Sequence, residues 1–332
     1  MTLAQEGAER TRAARVWSLT TGEAGSRQQA RGLARELSPD HEDRVVQVSR
    51  TAALAPAGLF SLTLAAVRPV EGAIAPPWPD VVVSCGRRAG LAALAIRRRN
   101  PAPMVLIHIQ PIGASRAFDL VVVMPHDRLE GRNVLKVDTA LHTLRPADLS
   151  EAAAVSDPRF ADLPRPWTGV LVGGRTSHAP FSVEMARRLA DGLDALRDKT
   201  GGSLLITPSR RTPPDVLSAL GGRYLADQSV FFWDGGGVNP YRTILAGSDA
   251  LVVTGDSISM VSEALATTSD VWVFETQTGK RHGRFLQSLF DKRLTAPLGG
   301  AAPKRRLKGL DATPIVVAAA RELIQARLGF VS

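Results

Sequence analysis

The chain has 332 residues, 44% hydrophobic and 22% charged, an ordinary globular composition long enough for two domains with a core each. One cysteine, Cys85, excludes an internal disulfide and a cysteine-built zinc cluster, and no run of about 18 apolar residues marks a membrane-spanning helix. A net charge of +9 makes phosphorylated molecules or an anionic membrane surface the expected partners; nucleic acid is not expected, because no RNA-binding or helix-turn-helix signature accompanies the charge.

From the N-terminus, residues 1–14 are polar and lack the apolar core of a secretory signal, so a cytoplasmic location is expected, with peripheral association to the inner membrane through the basic surface. Arg15–Leu19 reads as a strand. Thr20–Gly25 follows as a glycine-bearing loop, then a helix to Leu37 with apolar positions at Ala30, Leu33, Ala34 and Leu37. A strand over 44–48, a helix over 59–67 and a strand over 80–84 come next. A helix over 88–98 and apolar runs at 104–108, 120–124 and 133–137 complete the first half. These runs lack alternation, as strands covered on both faces do, and alternating strands and helices imply a parallel sheet with right-handed crossovers.

Residues 157–167 carry Pro158, Pro164 and Pro166 with almost no periodicity, which predicts a linker between an N-terminal domain over 1–156 and a C-terminal domain over 168–332. The second half repeats the α/β series. Strands are predicted at 169–172, 203–206, 230–233, 250–253 and 271–274, and helices at 182–196, 214–220, 239–246, 257–267, 281–291 and 313–328. The fold class is therefore α/β, in two domains.

In open α/β sheets ligands bind beyond the carboxyl ends of the strands, so chemistry is sought in those loops. Thr254-Gly255-Asp256-Ser257-Ile258-Ser259 follows a buried strand and opens a helix. Gly255 lets a ligand approach the backbone, and free first-turn N–H groups with the Ser257 and Ser259 hydroxyls suit a phosphate. Glu263, four residues after Ser259, could accept from ribose hydroxyls. Asp256 is an anion in that setting and reads equally as a helix cap. Gly173-Gly174-Arg175 permits a tight turn, phosphate approach and a cation, and Arg210 and Arg211 offer charge for a diphosphate. Asp234–Tyr241 contains three consecutive glycines, then Asn239 as expected cap and Pro240 at the first helical position. In the first half, Glu23 is the only carboxylate of the Thr20–Gly25 loop and the leading candidate for a general base. His126 and Asp127 carry acid–base groups after another strand, and Arg87 and Arg88 supply cations for an acceptor or donor phosphate. No P-loop, HExxH, GxSxG or metal-ligand spacing is present.

Six segments occur in order: Gly22–Ala30, Cys85–Arg88, Pro125–Arg128, Gly173-Gly174, Asn239–Tyr241 and Thr254–Glu263. Together they resemble the bacterial members of the mitochondrial-fission family named for the plant elongated-mitochondria mutant, over nearly the whole chain. That family in turn resembles GT-B glycosyltransferases, in which two Rossmann-like domains face a cleft and the C-terminal one holds a nucleotide-diphospho-sugar. The resemblance implies that Ser257 and Ser259 meet the diphosphate and Glu263 the ribose. It implies a metal-independent transferase acting on an envelope lipid or polysaccharide precursor, with a nucleotide sugar as substrate and no bound cofactor. A nucleotide-sugar epimerase and a non-catalytic adaptor at a membrane surface are the alternatives.

Overall fold

The computed structural model describes residues 13–49, 64–155, 157–175 and 180–330. The chain divides into two units, 1–143 with 312–332, and 144–311.

The first unit is built on a seven-stranded sheet, β1 (Val16–Thr20), β2 (Glu42–Val48), β3 (Val67–Glu71), β4 (Val81–Cys85), β5 (Val105–Ile109), β6 (Leu120–Val123) and β7 (Val134–Lys136), in the order β3-β2-β1-β4-β5-β6-β7. All pairs are parallel except β2–β3. Period-2 alternation sorts the apolar runs onto two cores. Val81, Val83, Cys85, Val105, Ile107 and Ile109 face α1 (Ala24–Leu37), while Val82, Leu106, Val121 and Val123 join Ala89, Ala92 and Ile96 of α2 (Arg87–Arg99). Both faces are covered, which is why these strands read as unbroken apolar runs.

Strand β3 departs from the expected helix over 59–67. Residues 59–63 lie outside the described residues, 64–66 form a short 3-10 turn, and Val67 begins a strand. Its Pro69 is tolerated because β3 is an edge.

His108 on β5 is buried against Phe118, hydrogen-bonded to Ser84 Oγ at 2.9 Å, and its Nε2 has no partner among the described residues. Burial pushes its pKa down to about 3. Below about pH 6.5 the unfolded chain takes up a proton that the folded one refuses, so stability falls as pH drops from 6.5 toward 3. Between pH 7 and pH 5 this histidine is expected to cost about 2 kcal/mol. Urea unfolding at both pH values should show that loss in the wild type and a correspondingly smaller one in His108→Leu; identical slopes would refute the assignment.

The second unit has six parallel strands: β8 (Trp167–Val172), β9 (Ser203–Pro208), β10 (Val230–Phe232), β11 (Ala250–Thr254), β12 (Asp270–Phe274) and β13 (Ala296–Pro297). Their order is β10-β9-β8-β11-β12-β13, so the direction of winding reverses between β8 and β11. The helices are α3 (Pro146–Ala154), α4 (Val183–Thr200), α5 (Pro214–Tyr224), α6 (Tyr241–Gly247), α7 (Ile258–Leu265) and α8 (Lys280–Asp291). Met185, Leu189 and Leu193 of α4 pack with Val216 and Leu220 of α5 on Val170, Val172, Leu204 and Ile206. Ser182 caps α4, accepting from the Met185 N–H.

Two domain-boundary expectations are corrected. The proline-rich segment 157–167 is no linker: Phe160 is buried, edge-on to Trp167 at 5.5 Å and beside Phe231 at 5.0 Å, and Arg159 pairs with Asp157. Prolines erased the periodicity without freeing the segment from the core. The last helix, α9 (Thr313–Leu328), belongs to the first unit rather than the second. Its Val316, Val317, Ala320 and Ile324 lie in one core with Ala30, Leu33 and the β4 and β5 side chains, while Ile315 is exposed. Helix α3 and strand β13 have no counterpart among the expected elements, and β13 has only two residues.

Candidate functional site

The loops after β8 and β11 meet where the second sheet reverses, the position at which open α/β folds form a ligand crevice. Their geometry turns on Asp256, whose side chain has no solvent exposure. Its carboxylate accepts the Thr254 hydroxyl at 2.6 Å and the Gly174 N–H at 3.0 Å, and pairs with Arg211 at 3.3 Å. The Thr254 hydroxyl in turn accepts the Gly173 N–H at 2.7 Å. Asp256 therefore stitches β8, β9 and β11 together at their carboxyl ends. It does not cap the helix: Ser257 does, its Oγ accepting from Met260 N–H at 3.3 Å.

This stitching revises the expected roles of Gly173, Gly174, Thr254 and Gly255. The Gly173 and Gly174 N–H groups, expected to lie where a phosphate approaches, are spent on Thr254 and Asp256, and Gly255 N–H goes to Phe274 O at 2.9 Å. Thr254 is fully buried. The residues are small because the protein's own atoms crowd them. A Cβ on Gly173 would lie within 3.0 Å of the Asp256 carboxylate, and one on Gly174 would strike the Arg211 carbonyl. The Arg211 loop cannot yield, since Thr212 Oγ1 donates to Gly173 O at 2.5 Å and Ser209 N–H to Val172 O at 2.8 Å.

What remains open to a ligand is the start of α7. The N–H groups of Ile258 and Ser259 have no acceptor within the helix. Ser259 is partly exposed, and Arg175 and Arg210 are exposed on the neighbouring loops. Thr176, Ser177 and His178 lie outside the described residues.

Glu263 sits one turn into α7, only 4% exposed, and accepts the hydroxyl of Tyr241 at the start of α6. Desolvation, then the Glu263 charge, raises the Tyr241 pKa well above its ordinary value, so the phenol stays protonated as donor. Asn239, expected to cap α6, instead accepts Tyr241 N–H at 2.9 Å across the turn, and Pro240 occupies the cap position. Of the three glycines before it, Gly235 and Gly237 adopt φ of 99° and 68°, a left-handed turn for which glycine is the ready choice. Asp256 as organiser, Arg211 as its partner and Tyr241 as the Glu263 donor went unrecognised in the sequence. The chemical signal was a carboxylate beside a glycine-opened turn, 82 residues from a Gly-Gly pair.

In the first unit, Glu23 is exposed at the start of α1 and accepts the Thr21 hydroxyl at 2.7 Å. It lines a pocket of about 600 Å³ with Gln47, Ser49, Arg68 and Arg88. His126 and Asp127 do not share its accessibility. Both are buried, with His126 Nε2 3.5 Å from Asp127 Oδ1 and the Asp127 carboxylate accepting Met124 N–H at 3.2 Å, a turn-forming arrangement beneath the surface. None of the described helices is long and apolar enough to cross a membrane.

Comparison with known proteins follows the same outline. The fold is similar to the UDP-GlcNAc 2-epimerase from Methanocaldococcus jannaschii, with a TM-score of 0.52 and 11% identity over 93% of this chain and 99% of that one. The UDP-N-acetylglucosamine 2-epimerase from Rickettsia bellii gives the same score and identity over 95% and 97%. The two Rossmann-like units expected of a GT-B-like chain are both present. The mitochondrial fission protein ELM1 of Arabidopsis thaliana is 31% identical over 240 residues, 65% of this chain, which spans 55% of the length of that relative. Residues 24–326 match the family described as mitochondrial fission ELM1, and the chain belongs to that family.

Proposed function

We propose that the second unit binds the diphosphate of a nucleotide sugar at the start of α7 and that the protein transfers the sugar without a metal ion. The observation that supports this most is the combination at the β8–β11 reversal: an uncommitted helix N-terminus, the Ser259 hydroxyl, and Arg175 and Arg210 on the adjoining loops. In this reading the N–H groups of Ile258 and Ser259 and the Ser257 and Ser259 hydroxyls stabilise the departing diphosphate. The arginines meet its remaining charge. Glu263 accepts from a ribose hydroxyl while sharing its carboxylate with Tyr241. Asp256, Gly173, Gly174 and Thr254 hold the loops in place and touch no ligand. Glu23, in the lining of the first-unit pocket, is the base that takes the acceptor hydroxyl's proton, in preference to the buried His126 and Asp127. The acceptor is an envelope lipid or polysaccharide precursor.

Nucleoside diphosphates should raise the melting temperature, by mass action on the folded state. UDP is the first probe. Ser259→Ala removes a hydroxyl that carries no hydrogen bond among the described residues and should weaken UDP about fivefold. A panel of UDP, GDP, ADP, CDP and dTDP that leaves the melting temperature unchanged would defeat the proposal. Epimerisation is the second reading, since the solved structures of similar fold carry that name. Incubation with UDP-GlcNAc and no acceptor separates the two: a changed sugar with the nucleotide still attached marks an epimerase.

A further inference from the structure

The pocket of the first unit holds two cations with no internal duty. Arg68 on β3 and Arg88 in the first turn of α2 both line it, both are exposed, and neither guanidinium has an ion-pair or hydrogen-bond partner among the described residues. Their neighbours behave differently. On the same β2–β3 hairpin, Arg44 pairs with Glu42 at 2.5 Å, and Arg27 of α1 reaches Glu71 at 3.0 Å. Carboxylates are thus at hand, yet none is spent on Arg68 or Arg88. The rest of the lining is Thr21, Gln47 and Ser49 with the apolar Val46, Val48, Ala65 and Ala66. Among the described residues Glu23 is the one carboxylate of the lining. Two guanidinium groups against one carboxylate make the described lining net positive.

The two arginines enter from different elements, an edge strand and the helix after β4. Guanidinium forks arriving from two directions suit a tetrahedral dianion, which offers acceptors on more than one side, better than a single planar carboxylate. The first-turn N–H groups of α2 favour the same charge. About 600 Å³ exceeds what a free phosphate needs and accommodates a phosphorylated molecule of sugar or glycerol size.

We infer that this pocket binds a phosphate monoester that also carries hydroxyl groups, its phosphate held by Arg68 and Arg88 and a hydroxyl directed toward Glu23. Phosphate binding in this pocket does not depend on nucleotide binding by the second unit. Only the further step, that this molecule is the acceptor whose hydroxyl Glu23 deprotonates, rests on the function proposed above.

The test measures binding at constant ionic strength, with glycerol 3-phosphate and glucose 6-phosphate as soluble probes, glucuronate as the carboxylate probe, and phosphatidylcholine vesicles with and without phosphatidic acid. The expected result is saturable binding of a phosphorylated probe, weakened about tenfold in Arg68→Gln and in Arg88→Gln. Both side chains are exposed, so the variants should fold, and unchanged UDP affinity in each confirms that the second unit is intact. Binding of the soluble probes identifies a free phosphorylated metabolite. Binding confined to phosphatidic acid vesicles, with the same arginine dependence, identifies a lipid headgroup. Preference for glucuronate over the phosphates, affinity indifferent to both substitutions, or no binding to any probe overturns the inference. Loss of UDP binding in the wild type with the phosphate result intact would overturn only the proposed function.

Discussion

Replacing Asp256 with alanine is expected to destabilise the second unit by about 3 kcal/mol, through two buried donors left without an acceptor. The Gly174 N–H and the Thr254 hydroxyl both lie inside, and both donate to this carboxylate. Arg211 contributes less to the loss, because its side chain is 45% exposed and water can replace the carboxylate. Asp256→Asn keeps an acceptor and should cost about half as much. Urea unfolding followed by tryptophan fluorescence gives the magnitude. Hydrogen exchange should place it, with faster exchange in β8 and β11 and no change in β1–β7. A cost within about 0.5 kcal/mol of zero, the range of an ordinary surface substitution, would show that the carboxylate does not organise the loops.

The second large effect separates two adjacent glycines. Gly174→Ala places a Cβ against the Arg211 carbonyl and Thr212 N, backbone atoms of a loop already tied down by Thr212. Nothing there can rotate away, so the loss should reach about 3 kcal/mol. For Gly173→Ala the three atoms nearest the new Cβ all belong to the Asp256 carboxylate. Its cost should therefore shrink by at least about 1 kcal/mol when measured in the Asp256→Ala background, whereas that of Gly174→Ala should hardly change. Equal costs of Gly173→Ala in both backgrounds would mean that Asp256 is not what excludes a side chain there. Because these residues organise the loop behind the proposed diphosphate site, both glycine variants are also expected to weaken UDP binding.

Most strands of both sheets were legible because burial on two faces demands continuous apolar runs, as in Val81-Val-Val83 and Leu251-Val-Val253. The small-residue turn into α7 was legible too, from glycine and hydroxyl chemistry at a strand end. The reason for the Gly-Gly pair was not. Glycine before a helix suggests room for a ligand, and only the fold reveals that Asp256, 82 residues later, fills that room. The same limit applies to Glu263, whose partner Tyr241 lies on another helix, and to α9, whose apolar stripe announced a contact without naming the sheet. Strand β3 escaped notice because its sequence, Val-Arg-Pro-Val-Glu, is that of an edge and carries little apolar signal. Arg68 was overlooked with it. In each case the missing information is long-range, and local pattern cannot encode it.

Helix α9 covers part of the first core from the far end of the sequence, so the second unit is an insertion within the first. During synthesis the ribosome must complete residues 144–311 before the side chains of Val316, Ala320 and Ile324 exist. The inserted unit can close on its own contiguous segment, while the first waits with the Ala30–Leu33 face of α1 and the matching side of its sheet uncovered. The order of folding is then the reverse of the order of translation, and the interval is the period in which the nascent chain is most exposed to aggregation or to a chaperone.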